Sequence, residues 1–221
     1  MVDLSSLKTQ NAKRWAVAKP TRNMTAVAKS LVAAKSRYQA VEAKTAVPWW
    51  FIAVVHEREA SQNWSTQLGQ GDPLNRVSTH IPTGRGPFPT WEAGAYDALV
   101  NTSPYAARNK DWSSGGALTM LEEYNGTGYA ARGKPSPYVW AGTDQYVSGK
   151  YVRDGVYDPN AVDQQPGCAA MLLAMRQLDP SVRFAGEANF PSPKPQPPVV
   201  PPSPPKEGFF NALKSLFVKK T

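Results

Sequence analysis

Two carboxylates directly behind an apolar segment are the residues of this chain best suited to proton transfer: Glu57 and Glu59 in "VVHEREAS", which follows "VPWWFIA". Burial disfavours the charged form of a carboxyl and raises its pKa, which is what a general acid needs near neutral pH. On a helix the two point to nearly opposite sides. Glu59 continues the stripe Ile52, Val55 and His56, while Glu57 lies nearer Trp50, Ala53 and Val54. Both stripes are apolar, so periodicity does not choose between the two acids. Arg58 and Arg85 are each available to pair with whichever is structural. On the residues alone, a structural ion pair and an acid catalyst are both open.

The acids need a rigid mount, and the surrounding pattern supplies helices. In residues 24–44, Val27, Leu31, Val32, Tyr38 and Val41 fall at helical spacing with lysines between them, an amphipathic outer helix. Pro48 suits the first turn of a second helix over about 48–62, apolar all round at first and therefore central. Ser65 to Pro89 reads as a long loop or short hairpin. Thr90 caps "WEAGAYDALVN", with Glu92 in its first turn, where the helix dipole favours negative charge. "DWSSGGALTMLEEYNG" reads as a helix stopping at Gly126, "SPYVWAGTDQYVSG" has aromatics at helical intervals, and "DQQPGCAAMLLAMRQL" closes the domain. The expected class is mostly α, with little period-two alternation.

The 221 residues suit one globular domain with extensions. Residues 1–45 carry nine Lys/Arg against two acids, residues 46–193 eleven against fourteen, and residues 194–221 five against one. The positive ends favour polyanionic partners; the first is equally explained as a solvated helix face. No recognition motif for nucleic acid accompanies them. Cys168 is the single cysteine, which excludes an internal disulfide and a cysteine-rich zinc site. No metal or organic cofactor is implied. No apolar run reaches bilayer length, and "MVDLSSLKTQNAKRW" lacks the apolar core of a secretory signal, so the chain is expected to accumulate in a cytoplasm. The expected organisation is a domain over 1–190 with a basic N-terminal helical extension, a spacer over 191–205 with nine prolines, and a cationic amphipathic tail over 206–221. The tail suits an anionic membrane or lipopolysaccharide, or folds back on the domain.

The pattern of an apolar helix followed by Arg58, Glu59 and, after Ala60, Ser61 resembles the first motif of the lysozyme-like superfamily, particularly goose-type lysozymes and soluble lytic transglycosylases. The stretch "EEYNG", ending at Gly126, resembles the "A-Y-N-x-G" motif that lines the same cleft in those families, with Tyr124 and Asn125 carrying over. The blocks "WWFIAVVHERE", "GDPLNRVSTHIP", "PFPTWEAGAYDAL", "LEEYNGTGY", "SPYVWAGTDQY" and "DPNAVDQQPG" resemble, in order, a group of phage and prophage lysozymes (endolysins), over about Lys35 to Leu178.

The resemblance implies a lysozyme-like helical domain. It implies an N-acetylmuramidase that cuts the MurNAc–GlcNAc β-1,4 bond of peptidoglycan with Glu59 as general acid, in a host cell from which the enzyme reaches the wall after release. A glycosidase needs a second group to act as nucleophile, activate water or stabilise charge at the sugar carbon. Asp72 in "QGDPL" leads, held by Gly71 and Pro73, with a turn-forming Asp before Pro as the competing reading. Glu92 and Asp144 are lesser candidates. Ser61, Tyr124, Asn125, Trp140 and His80 are the expected substrate contacts, with Trp64, Trp91, Tyr129, Tyr138 and Gln67 as further cleft or core residues. Within the same fold a lytic transglycosylase using Glu59 alone competes. A non-catalytic wall-binding or virion protein competes from another class. A monomer is expected.

Overall fold

The computed structural model describes residues 2–69 and 71–187; the spacer 191–205 and the tail 206–221 lie outside the described residues. The described chain is mostly helical: nine α-helices, one 3-10 turn and one small antiparallel hairpin. No described helix is long and apolar enough to cross a membrane.

The centre is α4 (Trp49–Ala60), preceded by Pro48. Phe51, Ile52, Ala53, Val54 and Val55 have no exposed surface, because every side of this helix is covered. Residues 24–44 form two helices rather than one: α2 (Thr25–Ala33) and α3 (Lys35–Thr45), broken at Ala34 with φ −89° and ψ 8°. The break has a packing reason. Ala28 and Leu31 of α2 are buried on the side of α9 (Cys168–Arg176), whereas Tyr38 and Val41 of α3 are buried against α4 and α5 (Trp91–Val100). One straight helix does not serve both contacts.

The N-terminal segment is an integral layer. Its helix α1 (Leu4–Val17), capped by the Asp3 carboxylate on the Ser5 amide at 3.0 Å, lies along α6 (Ser114–Tyr124). A Cβ on Gly115 would stand 2.6 Å from the Lys8 carbonyl oxygen, so only glycine lets the two backbones come this close. Gly115→Ala is therefore expected to destabilise by about 1–3 kcal/mol, as overpacking does, read as a lowered midpoint in denaturant unfolding.

Beyond α6 come two single turns, α7 (Gly128–Ala131) and α8 (Pro137–Trp140). The aromatic spacing of "SPYVWAGTDQYVSG" does not become a longer helix, because Gly142 turns the chain at φ 81°. Next is the hairpin of β1 (Lys150–Arg153) and β2 (Val156–Asp158), closed by Asp154 and Gly155. An Asp-Gly pair between short alternating strands is a strong hairpin signal, one that the expectation of a hairpin only as an alternative at residues 65–89 overlooks. The segment 65–89 is a loop with one isolated bridge, Thr66 to Pro73.

Candidate active site

Glu59 stands one residue before the end of α4, where the apolar centre gives way to surface. The chain turns off the helix through two residues in the left-handed region, Ser61 at φ 49° and Gln62 at φ 56°. Neither is glycine, so the turn is strained and has to be held. Its anchors are explicit. The His56 ring Nε2 donates to the Asn63 carbonyl at 3.1 Å, and His56 Nδ1 accepts from the Tyr38 hydroxyl at 3.1 Å. The Gln62 amide donates to Tyr38 Oη and to the Ser30 carbonyl, each at 3.2 Å. Burial holds the His56 imidazole down to about 4, so it stays neutral and keeps this tautomer. His56 thus sits behind the acid and fixes the turn that follows it.

Burial raises the Glu59 carboxyl above the ordinary carboxylate range, against the lowering influence of the Tyr138 hydrogen bond and the Arg58 charge. Tyr138 donates its hydroxyl to Glu59 Oε1 at 2.7 Å, so the proton of the acid form rides on Oε2. Arg58 is not an ion-pair partner of Glu59. Its guanidinium contacts the Asp163 carboxylate and donates to the Pro166 carbonyl at 3.3 Å, while lying 5.0 Å from the centre of the Tyr138 ring. The Tyr124 hydroxyl is buried without a hydrogen-bond partner among the described residues, and the nearby Glu59 charge adds to the burial that raises its pKa. The Glu57 side chain is half-buried and makes no hydrogen bond or ion pair among the described residues, so neither Arg58 nor Arg85 pairs with it. The neighbouring acids have other partners: Arg85 pairs with Asp97, Arg37 with Glu92 at 2.7 Å, and Asp144 accepts the Lys19 amide at 2.9 Å.

A groove of about 380 Å³ has in its wall Arg58, Asn125, Tyr129, Lys150, Arg153 and Asp163. Glu59 and Tyr124 do not line it; their chain neighbours Arg58 and Asn125 do, as does Pro137, the neighbour of the Tyr138 that bonds Glu59. Asn125 is exposed, as a sugar-binding amide must be, and Ser61 is exposed at the turn. Trp140, expected at the cleft, is instead fully buried: its indole N–H donates to Asn11 Oδ1 at 3.3 Å, inside the contact of α1, α6 and α8. A ring with no open face offers nothing to a sugar. Trp64 and Trp91 likewise stack with Tyr38 and His56, under the Arg37 guanidinium, and Gln67 is buried.

Asp72 lies on the loop that runs against the end of α4; a Cβ on Gly71 would sit 3.6 Å from the Glu59 carbonyl oxygen. Its Oδ2 accepts the Thr79 and His80 amides, each at 3.1 Å, and its Oδ1 the His80 ring Nδ1 at 2.8 Å. Burial works to raise this carboxyl, and the His80 and Thr79 bonds outweigh it, holding Asp72 below its ordinary value. His80, otherwise exposed, is the loop partner of Asp72. Two carboxyls on adjoining segments are thus pushed in opposite directions, Glu59 towards the acid and Asp72 towards the anion, the pattern that separates a proton donor from a charged helper. No cluster among the described residues could hold a metal ion.

The groove wall contributed by the hairpin was not anticipated, nor was Asp163, which joins Arg58 to Lys150 at 2.8 Å. The Asp154-Gly155 turn was the available signal for the former. A second surprise is Glu122, buried between α1 and α6 with one oxygen unpartnered and pushed up to about 7 chiefly by burial. A raised acid binds its proton more tightly when folded, so stability is full below the ordinary 4.5 and falls as pH rises to about 7. Across the full shift this amounts to about 3 kcal/mol. His56 acts oppositely: stability is lost as pH falls from 6.5 to about 4. The two slopes oppose each other between 4.5 and 6.5. Glu122→Gln should remove the neutral-pH decline and expose the His56 slope, measured as melting temperature against pH.

No protein-family model, curated protein or solved structure matches this chain, which leaves the arrangement of its own residues to carry a functional reading.

Proposed function

We propose that this protein is a peptidoglycan hydrolase of the N-acetylmuramidase type, built on a lysozyme-like helical fold, with Glu59 as general acid. The observation that carries the reading is the condition of Glu59: raised by burial, hydrogen-bonded by the Tyr138 hydroxyl, and left unpaired by Arg58, which Asp163 occupies. The exposed Asn125 in the groove and the ordered sequence blocks resembling phage and prophage lysozymes support it further.

In this reaction the glycosidic C1–O bond breaks as the Glu59 proton passes to the leaving oxygen. Positive charge develops at C1, which the anionic Asp72 loop disfavours less than a neutral wall would. Water adds to C1, and its proton returns to Glu59. The chain would act on wall glycan after leaving the cell that made it, as endolysins do. The tail's affinity for anionic membrane or lipopolysaccharide belongs to the same proposal.

One observation favours a second reading. Both Asp72 oxygens are engaged within their own loop by Thr79 and His80. A lytic transglycosylase, in which the MurNAc 6-hydroxyl attacks and Glu59 alone serves as acid and base, needs no second carboxylate. Digesting purified peptidoglycan in heavy-oxygen water separates the two. Muramidase action gives reducing MurNAc ends carrying solvent oxygen; transglycosylase action gives anhydro-MurNAc ends. Failure to release either from intact wall defeats both.

A further inference from the structure

The groove walled by Arg58 and the hairpin holds more positive charge than its own carboxylates neutralise. Arg58 and Lys150 both converge on one carboxylate, Asp163, which is 1% exposed. Arg153, on the strand that carries Lys150, adds a third cation to the same wall and is exposed, with no ion-pair partner among the described residues. Asp154 at the hairpin turn is the other carboxylate of the groove. Three cations therefore face two anions, and Glu59 in its acid form contributes no charge. The Lys150 side chain is 35% exposed and spends one hydrogen bond on Asp163, which leaves further ammonium donors free for a ligand.

A sugar groove meant for a neutral polymer has no use for a surplus cation, whereas a carboxylate-bearing glycan supplies its counter-charge. We infer that Arg153 and Lys150 select glycan strands by their free carboxylates, so that the hairpin β1–β2 is the specificity element of the groove. The inference rests on the muramidase-type reading and names the substrate chemistry of that site. In peptidoglycan the carboxylate has two sources: the stem peptide, or, where an amidase has removed that peptide, the lactyl group of MurNAc that the cleavage frees. Chitin-like strands offer neither.

The test compares three substrates: intact glycan strands with stem peptides, strands stripped by amidase and so carrying free lactyl carboxylates, and stripped strands whose carboxylates are converted to neutral amides. The wild-type protein is expected to cleave at least one anionic substrate about tenfold faster in kcat/KM than the amidated one, a charge-assisted contact being worth that much. Preference for intact strands alone assigns the stem peptide; preference for stripped over amidated strands assigns the lactyl group. Arg153→Gln, on an exposed strand position, should reduce the preference to within about twofold by losing that contact. Binding of the stripped and amidated strands to Glu59→Gln protein, which needs no turnover, is read in parallel. Equal rates on all three substrates, or equal binding of the charged and neutral strands, overturns the inference while leaving the hydrolase reading intact. Discrimination in binding without any cleavage by the wild type retains the inference and removes the hydrolase reading.

Discussion

Glu59→Gln should leave a folded protein that no longer cuts glycan strands. Loss of general acid catalysis removes about 10²- to 10⁴-fold of rate. The amide keeps an oxygen to accept the Tyr138 hydroxyl bond of 2.7 Å, so the fold loses little. The expected change in stability is within about 1 kcal/mol, or about 2–4 °C in melting temperature for a domain of this size. The wild-type pH profile should carry the same signature. Activity requires protonated Glu59, whose pKa burial has raised, so the rate persists above the ordinary carboxylate range and is lost as pH rises through that raised value. Asp72, held low, sets the acid side: its charge survives until pH falls below the ordinary aspartate range. Wall-lysis assays on purified variant and wild type, with circular dichroism as the folding control, decide it. Undiminished lysis by the Gln variant takes Glu59 out of the chemistry.

Asp163→Asn has the largest expected effect on stability. Burial pushes this carboxyl up, and Lys150 and Arg58 overcome the push and hold it below its ordinary value. Removing the anion leaves the buried Arg58 guanidinium uncompensated, with the part-exposed Lys150 ammonium facing it. Breaking a buried pair in this way costs about 3–5 kcal/mol, which is roughly 10 °C in melting temperature. The sign in pH follows from a depressed acid: the stabilisation is present above the ordinary 3.8 and is lost as pH falls through the lower folded value, so the Asn variant should lack that acid-side dependence. A second readout separates structure from chemistry. Arg58, released from Asp163, adjoins Glu59 in the chain and draws its carboxyl down, so the alkaline limb of any surviving activity should move to lower pH. Replacing Arg58 with Met alongside Asp163→Asn should return the limb towards the wild-type position.

The central helix and the desolvated carboxyls at its end were legible in the sequence because one pattern encoded both. The all-round apolar run of α4 predicts a central helix, and the charges at its end predict a carboxyl in a desolvated place. Which carboxyl was not legible from periodicity, since both stripes of α4 are covered and Arg58 pairs with neither; the Tyr138 hydroxyl, 79 positions along the chain from Glu59, bonds that one alone. Trp140 misled for a related reason. It was expected at the cleft because its block resembles those of phage lysozymes, but a single helical turn at Pro137–Trp140 carries it into the contact with Asn11, a residue 129 positions away. The split between α2 and α3 was invisible because each half satisfies helical spacing by itself. The groove wall stayed hidden because a four-residue strand and a three-residue strand carry little alternation, although their Asp-Gly connection was in plain view.

Asp163 also joins two parts of the molecule that chemistry wants kept distinct. Through Arg58 it steadies the helix bearing Glu59; through Lys150 it moors the base of the hairpin. From Val152 to Val156 the tip makes no hydrogen bond or ion pair with Glu59 among the described residues. Under the proposed muramidase reading, loop grafting at this tip is a route to new wall chemotypes in which recognition is rewritten and Glu59 is inherited unchanged.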